Sequence, residues 1–265
     1  MLGAIIGDIA GSRFEFNNYK AKDFQFLHSR CKPTDDSLMT LAVAEAILSC
    51  KPDRSDLPDQ AVRCMQEIGR RYPHAGYGNR FSRWLELPDP RPYGSFGNGA
   101  AMRVSPCGFA ARDLEDAKML SKMVTAVTHN HPEGLKGAEA AAVAVYLART
   151  GKSMSEIREV ICKEYYPLDF TLDEIRPGYS FDVSCQGSLP PALEAFFEST
   201  DYEDTIRNAI SIGGDSDTLA AIAGGIAEAY YGIPAALREK ALAFLYPDEL
   251  RILTDFEKQY PPKIL

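Results

Sequence analysis

Apolar side chains along this 265-residue chain recur mostly at intervals of three and four residues. That spacing puts them on one face of an α-helix, whereas the apolar residues of a half-buried strand alternate. No stretch offers alternating β-branched residues in series. The sequence therefore predicts an all-α fold. Its clearest helical segments are residues 38–48, 61–68, 114–127, 157–165 and 219–230.

Glycine and proline residues mark the ends of the predicted helices. Gly232 follows the last helical segment as a C-terminal glycine does, and Pro234 suits the first turn of a further helix. Two stretches without periodicity, residues 88–99 and 169–190, are predicted to be loops, and loops of that length often carry function. Apolar helices flank both closely, so neither is typical of a linker. We expect one compact multi-helix domain spanning residues 1–265.

The charge balance bears on the partners of the chain. Its formal net charge is −8 at pH 7, which argues against a nucleic-acid binder with a basic face. A nucleic acid would be a partner only as the carrier of a modification. A phosphate-bearing substrate would meet a repulsive field, so bound cations or helix N-termini would have to reverse the charge locally.

Cysteine spacing and hydropathy indicate the compartment. Six cysteines are present and no two stand in a C-x-x-C pattern, which argues against a zinc site or a disulfide framework. The N-terminal apolar run lacks a basic flank and is interrupted by Asp8, unlike a signal peptide. The apolar run at residues 140–148 is shorter than the roughly 20 residues that span a bilayer. We expect reduced thiols, no membrane segment and a cytoplasmic protein.

Two short acidic motifs each open an apolar helix. Each offers two carboxylates and a threonine oxygen, the kind of ligand that Mg²⁺ and similar hard cations take. Adjacent side chains in mid-helix point about 100° apart, but at a helix entrance, here after two glycines in the second motif, they can converge. The candidate metal ligands are Thr34, Asp35, Asp36, Asp215, Asp217 and Thr218.

Helix capping is the competing interpretation of these motifs. Asp and Thr favour helix N-termini, and an acid in the first turn stabilises the helix by about 0.3–1 kcal/mol through its dipole. Capping accounts for one acid in each motif but not for the second. Because the same dipole disfavours a cation, several carboxylates would have to act together. Two clusters in one chain favour metal binding.

Three other segments carry residues that suit a site. Glu15 lies between two phenylalanines after glycines expected to break a helix, either partly buried or as a surface acid. The glycine-rich residues 94–99 could cradle phosphate through their N–H groups. Their spacing matches neither phosphate-binding fingerprint, and ordinary turns use the same residues. His129 and His131 stand at a predicted helix junction, where such a pair is more often structural.

Taken in order, these segments resemble the ADP-ribosylglycohydrolase family. Each match alone is modest, but the ordered set is specific and covers most of the chain. The matches are Gly7-Asp8-x-x-Gly11-x-x-x-Glu15, Thr34-Asp35-Asp36-Ser37, Gly97-Asn98-Gly99-x-x-Met102-Arg103, Thr128-His129, and Gly213-Gly214-Asp215-x-Asp217-Thr218.

The resemblance implies a central cleft holding two Mg²⁺ or Mn²⁺ ions on the six ligands named above. The candidate catalytic residues are Glu15, Asp36 and Asp215. The glycine-rich loop would hold a diphosphate. Phe96 stands where some members have tyrosine, so a hydroxyl contact there is lost. Residues 181–187 would line the ribose side. The candidate substrate-binding residues are Gly94, Ser95, Phe96, Gly97, Asn98, Gly99, Met102 and His129.

The resemblance also implies an activity, the hydrolysis of the glycosidic bond between ADP-ribose and an acceptor. The implied partners are ADP-ribose and ADP-ribosylated proteins or small molecules. An arginine acceptor is the first choice and a serine acceptor the second. A hydrolase of O-acetyl-ADP-ribose or of a nucleobase adduct stays open. So does a non-catalytic ADP-ribose-binding or structural protein, although that alternative would be favoured by lost metal positions and all six are present.

Overall fold

The computed structural model describes residues 1–262. Within that range the chain folds into fourteen α-helices and one 3₁₀ helix (Asn98–Ala100), without β-strands, so the all-α prediction is confirmed. The domain boundary 1–265 stays a prediction whose last three residues lie outside the described range. The α-helices are α1 (Leu2–Gly11), α2 (Asp35–Ser49), α3 (Leu57–Arg71), α4 (Asn79–Glu86), α5 (Ser105–Ala110), α6 (Leu114–Thr125), α7 (Pro132–Arg149), α8 (Met154–Glu164), α9 (Leu172–Ile175), α10 (Cys185–Phe197), α11 (Tyr202–Ser211), α12 (Ser216–Tyr231), α13 (Ala235–Leu242) and α14 (Pro247–Gln259).

Helices α1 and α12 form the central pair of the fold. All ten residues of α1 are buried, and so is nearly all of α12. Glycines bring the two backbones into direct contact: a Cβ added at Gly7 would lie 2.0 Å from the carbonyl oxygen of Ala220. One added at Gly11 would lie 2.5 Å from the Cα atom of Asp217. The contact between α1 and α12 therefore sets the position of a predicted metal ligand.

Replacing Gly7 with alanine should destabilise the protein by about 2–3 kcal/mol, because the new methyl group would overlap a backbone carbonyl that cannot move aside. Urea unfolding of wild type and Gly7→Ala measures the loss. Gly178→Ala is the matched control, since a Cβ there meets nothing within 4 Å, and its change should stay below about 0.5 kcal/mol. An equal loss in both variants would contradict a tight contact between α1 and α12.

The remaining helices pack around this pair. Helices α2, α5, α7, α10 and α11 contact α12, while α3 and α14 pack on the outer side of α2. Helix α3 shows why the periodicity was informative: it buries Leu57, Ala61, Cys64, Met65 and Ile68 on one face. The other face is solvated, as an amphipathic surface helix requires.

Two local predictions are wrong. Residues 169–190 do not form one loop: α9 begins after a capping box at Thr171, and α10 begins after Ser184 and continues through two prolines. Burial of the apolar face of α10 outweighs the hydrogen bonds that the prolines remove. Gly7 and Gly11 also lie inside α1 rather than break a helix, because their contact with α12 requires the absence of a side chain.

The end of α12 agrees with the prediction from the sequence. Gly232 ends α12 with a φ of +83°, the left-handed region that glycine tolerates, and α13 begins directly after Pro234. All six cysteines are free thiols. In the described part of the chain, no helix has both the length and the apolar character needed to cross a membrane.

Candidate functional site

A cleft of 480 Å³ lies where the first turns of α2 and α12 meet the glycine-rich loop. Residues from most of the motifs singled out above line this cleft. Three predicted site residues, Thr34, Gly94 and Phe96, lie outside its lining. The predicted site residues that line it are Glu15, Asp35, Asp36, Ser95, Gly97, Asn98, Gly99, Met102, His129, Asp215, Asp217 and Thr218.

The carboxylates of the cleft form two overlapping groups. Asp8, Asp36 and Asp217 each place a carboxylate oxygen within 4.8 Å of the other two, and Glu15, Asp215 and Asp217 do the same. Asp217 belongs to both groups. Acidic residues from three distant parts of the chain therefore meet at one point.

The donor set fits a hard cation. Asp36 is buried, and its Oδ1 atom has no hydrogen-bond partner in the described residues. Its Oδ2 atom accepts from the hydroxyl of Thr218 at 3.2 Å. An orphaned buried carboxylate oxygen is costly without a partner, and oxygen-rich clusters of this kind are what divalent cations prefer. The cluster could hold metal ions.

Asp8 holds the first turn of α2 in place. Its carboxylate accepts from the N–H of Thr34 at 2.8 Å, from the Thr34 hydroxyl at 2.6 Å and from the N–H of Ser37 at 3.0 Å. The Thr34 oxygen in turn accepts from the N–H of Asp36 at 3.4 Å. Capping and carboxylate clustering thus coexist at this helix start.

The sequence interpretation did not place Asp8 at the site. The sequence did contain an indication of its role, because Asp8 is the one acid within the otherwise apolar α1. A carboxylate in such a helix is buried without solvent and needs several donors or a cation.

Gly213 and Gly214 turn the chain into α12. Both have left-handed φ values, +76° and +70°, which residues with a Cβ rarely adopt. The turn presents Asp215 at the helix start, where its Oδ2 atom accepts from the amide nitrogen of Asn98 at 2.7 Å. Asn98 therefore ties the glycine-rich loop to the acidic cluster.

Burial, and then the charges of neighbouring carboxylates, raises the pKa values of the acids in the cleft. Burial raises the pKa of Asp35 to about 8, with the charge of Asp8 adding to the effect. Burial raises the pKa of Glu15 to about 7, and the charge of Asp215 adds to it. Burial and mutual repulsion likewise raise the pKa of Asp36 well above its usual range. Without cations, the cluster disfavours its own ionised form.

The glycine-rich loop is held in shape by its own hydrogen bonds. The N–H of Gly94 donates to the side chain of Asn130 at 2.7 Å, and that of Gly97 donates to the Ser95 hydroxyl at 3.2 Å. The N–H of Asn98 donates to a backbone carbonyl of the facing segment. These three amides, expected as donors to a ligand, are already engaged within the protein.

The two histidines have different roles. His131 caps α7 by accepting from the N–H of Glu133 at 3.1 Å, as the structural interpretation predicts. His129 is buried and lines the cleft, and its Nε2 atom would lie 3.4 Å from a Cβ built at Gly99. Phe96 packs against His131, with ring centroids 5.2 Å apart.

Several lining residues were not predicted as site residues. Arg103 is fully buried at 1% exposure, although it is a permanent cation. The indication in the sequence was that Arg103 is a charged residue within the apolar run that follows Gly99. Phe181 and Val183 also line the cleft, as suggested for residues 181–187. The other lining residues without a predicted role are Phe16, Gly76, Gly78, Asn79, Arg80, Phe81 and Tyr93.

Comparisons with known proteins find relatives that cover most of the chain. The chain is 26% identical to "ADP-ribosylhydrolase ARH3" of Gallus gallus, covering 92% of this chain and 88% of the relative. It is 27% identical to "ADP-ribosylarginine hydrolase Tri1" of Pseudomonas putida (strain GB-1), covering 88% and 70%. It is 26% identical to "ADP-ribosyl-[dinitrogen reductase] glycohydrolase" of Rhodospirillum rubrum, covering 88% and 84%.

The fold comparison and the family match cover nearly the whole chain. A solved structure described as an "ADP-ribosylglycohydrolase-related protein complex" superposes with a TM-score of 0.69 at 25% identity, covering 98% of this chain and 95% of that one. The sequence model described as ADP-ribosylglycohydrolase matches residues 1–260. This protein therefore belongs to the ADP-ribosylglycohydrolase family of hydrolytic enzymes.

Proposed function

We propose that this enzyme hydrolyses the glycosidic bond between ADP-ribose and an acceptor, with two Mg²⁺ or Mn²⁺ ions in the acidic cluster. The observation that carries the proposal is one cleft that joins the carboxylates of Asp36, Asp215 and Asp217 to the glycine-rich loop and His129. That combination offers cation ligands on one side and contacts for a diphosphate on the other.

The acidic cluster would hold the cations through oxygen atoms at the starts of α2 and α12. When bound, the ions supply positive charge that orients ribose hydroxyls and draws electron density from the scissile bond. Asp8 would hold the ligands of α2 in position, because its carboxylate accepts hydrogen bonds from the first turn of that helix. The residues that we propose bind the cations directly are Thr34, Asp35, Asp36, Asp215, Asp217 and Thr218.

The opposite side of the cleft suits the diphosphate. The net charge of −8 would repel such a ligand at long range, but Arg80 and Arg103 both line the cleft. His129 and the engaged glycine-rich loop present a preformed surface beside them. This local positive charge supports binding of an anion where the protein as a whole is acidic.

Glu15 is the residue that we propose acts on the reacting bond. It is half-buried, lines the cleft and lies within the second carboxylate group. A carboxylate there would stabilise the oxocarbenium-like transition state of glycoside cleavage or take a proton from the attacking water. Asp36 and Asp215 are the alternative proton acceptors in this proposal.

Replacing Glu15 with glutamine should lower kcat about a hundredfold, because proton transfer and charge stabilisation are lost while the side-chain volume is kept. The Kd for ADP-ribose and the Tm should change little. Turnover assays, calorimetric titration of ADP-ribose and thermal unfolding check the three quantities. Glu86→Gln, an exposed acid at the end of α4, is the control. A kcat equal to that of the control would exclude Glu15 from the mechanism.

The acceptor is tested with a panel of defined substrates. We expect release of ADP-ribose from arginine-linked peptides first and from serine-linked peptides second, measured by mass spectrometry. Cleavage of O-acetyl-ADP-ribose or a nucleobase adduct alone would overturn the acceptor assignment but keep the enzyme class. Binding of ADP-ribose without turnover of any panel member would instead favour a non-catalytic binding protein.

A further inference from the structure

His129 stands at the junction of α6 and α7 with its two ring nitrogens in different surroundings. Its Nδ1 atom faces the protein interior, 2.7 Å from the hydroxyl oxygen of Thr128 and 3.5 Å from a guanidinium nitrogen of Arg103. Its Nε2 atom faces the glycine-rich loop, near Gly97 and Gly99. The position of the ring proton therefore decides what this side chain offers to the cleft.

Hydrogen-bond donors and acceptors around Thr128 determine that position. Arginine can only donate, so the Thr128 oxygen accepts from Arg103 at 2.6 Å. The single hydroxyl proton of Thr128 then goes either to Nδ1 of His129 at 2.7 Å or to the carbonyl oxygen of Thr125 at 3.4 Å. The shorter contact favours the first arrangement, in which the hydroxyl donates and Nδ1 accepts.

The Arg103 charge favours the same arrangement. A protonated Nδ1 would place two donors against each other, since the guanidinium nitrogen lies 3.5 Å away. Arg103 is itself constrained: it is buried, its Nε atom has no hydrogen-bond partner within residues 1–262, and its guanidinium lies over the ring of Phe81. Burial, and then the charges of Arg103 and Arg80, lower the pKa of His129 well below its usual range.

We propose that Arg103 and Thr128 are positioning residues that fix neutral His129 with its proton on Nε2. His129 then presents an N–H donor to the cleft and binds an oxygen of the substrate diphosphate. This inference rests on the proposed function for the identity of the anion. The relay itself, from the guanidinium through the hydroxyl to Nδ1, depends only on the protein.

Nuclear magnetic resonance reads the tautomer directly. Long-range ¹H–¹⁵N correlation spectra of the Mg²⁺-loaded protein separate protonated from unprotonated imidazole nitrogens. The chain has four histidines, and the His129 signals are those missing from His129→Gln. We expect a protonated Nε2 and an unprotonated Nδ1 in wild type. Protonation of Nδ1, or of both nitrogens, would overturn the proposal without any variant having to fold.

Removing the hydroxyl tests the relay. Thr128→Val keeps the volume but deletes the donor to Nδ1, so the spectrum should show a mixture of tautomers. The Kd for ADP-ribose should rise about fivefold to tenfold, the effect of losing one aligned hydrogen bond. Thr125→Val is the matched control, because the Thr125 hydroxyl is buried in the same segment without a partner. It should keep both the wild-type tautomer and the wild-type Kd.

The outcomes separate this inference from the proposed function. A Thr128→Val protein with the tautomer and Kd of Thr125→Val would overturn the relay. Failure of wild type to bind ADP-ribose would contradict the proposed function, while the wild-type spectrum would still confirm or contradict the proton position.

Discussion

Replacing Asp217 with asparagine should lower kcat/KM on the order of 10³-fold, the scale lost when a principal electrostatic group of an active site is removed. Asp217 is the carboxylate shared by both groups of the acidic cluster, so its loss weakens both candidate cation positions at once. The substitution removes charge and little volume. The fold should therefore be retained, and excess metal should restore part of the activity.

Calorimetric titration of Mg²⁺ and Mn²⁺ into metal-stripped protein, alongside turnover, measures this effect. Asp36→Asn should likewise weaken metal binding and lower activity, because Asp36 shares one of the two carboxylate groups with Asp217. Asp59→Asn changes an exposed acid in the first turn of α3 and should leave both measurements unchanged. Zinc should substitute poorly, since the site offers only oxygen ligands. Full activity in chelator, or equal metal binding by wild type and Asp217→Asn, would contradict metal binding. The two motifs would then serve only as helix caps.

Metal removal should make the stability of the protein strongly dependent on pH. The pKa of Asp35 is raised to about 8 and that of Glu15 to about 7 in the folded protein, against roughly 4 in an unfolded chain. Between those values the folded state holds more protons than the unfolded state. The contribution of these two groups to stability is therefore greatest below about pH 4, and it is lost progressively as the pH rises to about 8.

Bound cations should reverse this trend, because they replace the protons. Metal at a thousandfold excess over its Kd stabilises a fold by about 4 kcal/mol, and at low pH protons compete for the same oxygens. The rise in Tm on adding Mg²⁺ should thus be at least about 5 °C larger at pH 8 than at pH 5.5. Thermal unfolding of stripped and loaded protein at both values checks it. A rise independent of pH would show that the cations bind elsewhere.

Helix periodicity was sufficient to predict the fold class because burial on one face leaves a direct mark on the sequence. The buried face of α3 repeats at three and four residues, and Gly232 ends α12 as its position suggests. Prediction failed where tertiary contact overrides local preference. Gly7 and Gly11 have poor helix propensity but permit contact with α12, and the prolines of α10 are tolerated because that helix is buried.

The candidate site was predictable where residues cluster in sequence. Adjacent acids in the motifs of α2 and α12 and the glycine-rich loop stood out as patterns. Asp8 and Arg103 stood within quoted motifs but were given no role, because each is a single charged residue in an apolar stretch and its role depends on groups far away in the chain. Thr128 was visible only as part of a motif. Its role follows from the 2.6 Å and 2.7 Å contacts on either side of its hydroxyl, which a sequence does not contain.

The pairing of α1 with α12 has a consequence for synthesis of the protein. Helix α1 leaves the ribosome long before α12, the helix that covers much of its surface, has been made. Until α12 has emerged, much of the apolar surface of α1 lacks its native cover, and contacts between distant segments form slowly. The acidic cluster likewise cannot assemble before Asp217 is translated. Any cation loading would therefore be a late step, and a truncated nascent chain would lack the complete acidic cluster while much of α1 stayed uncovered.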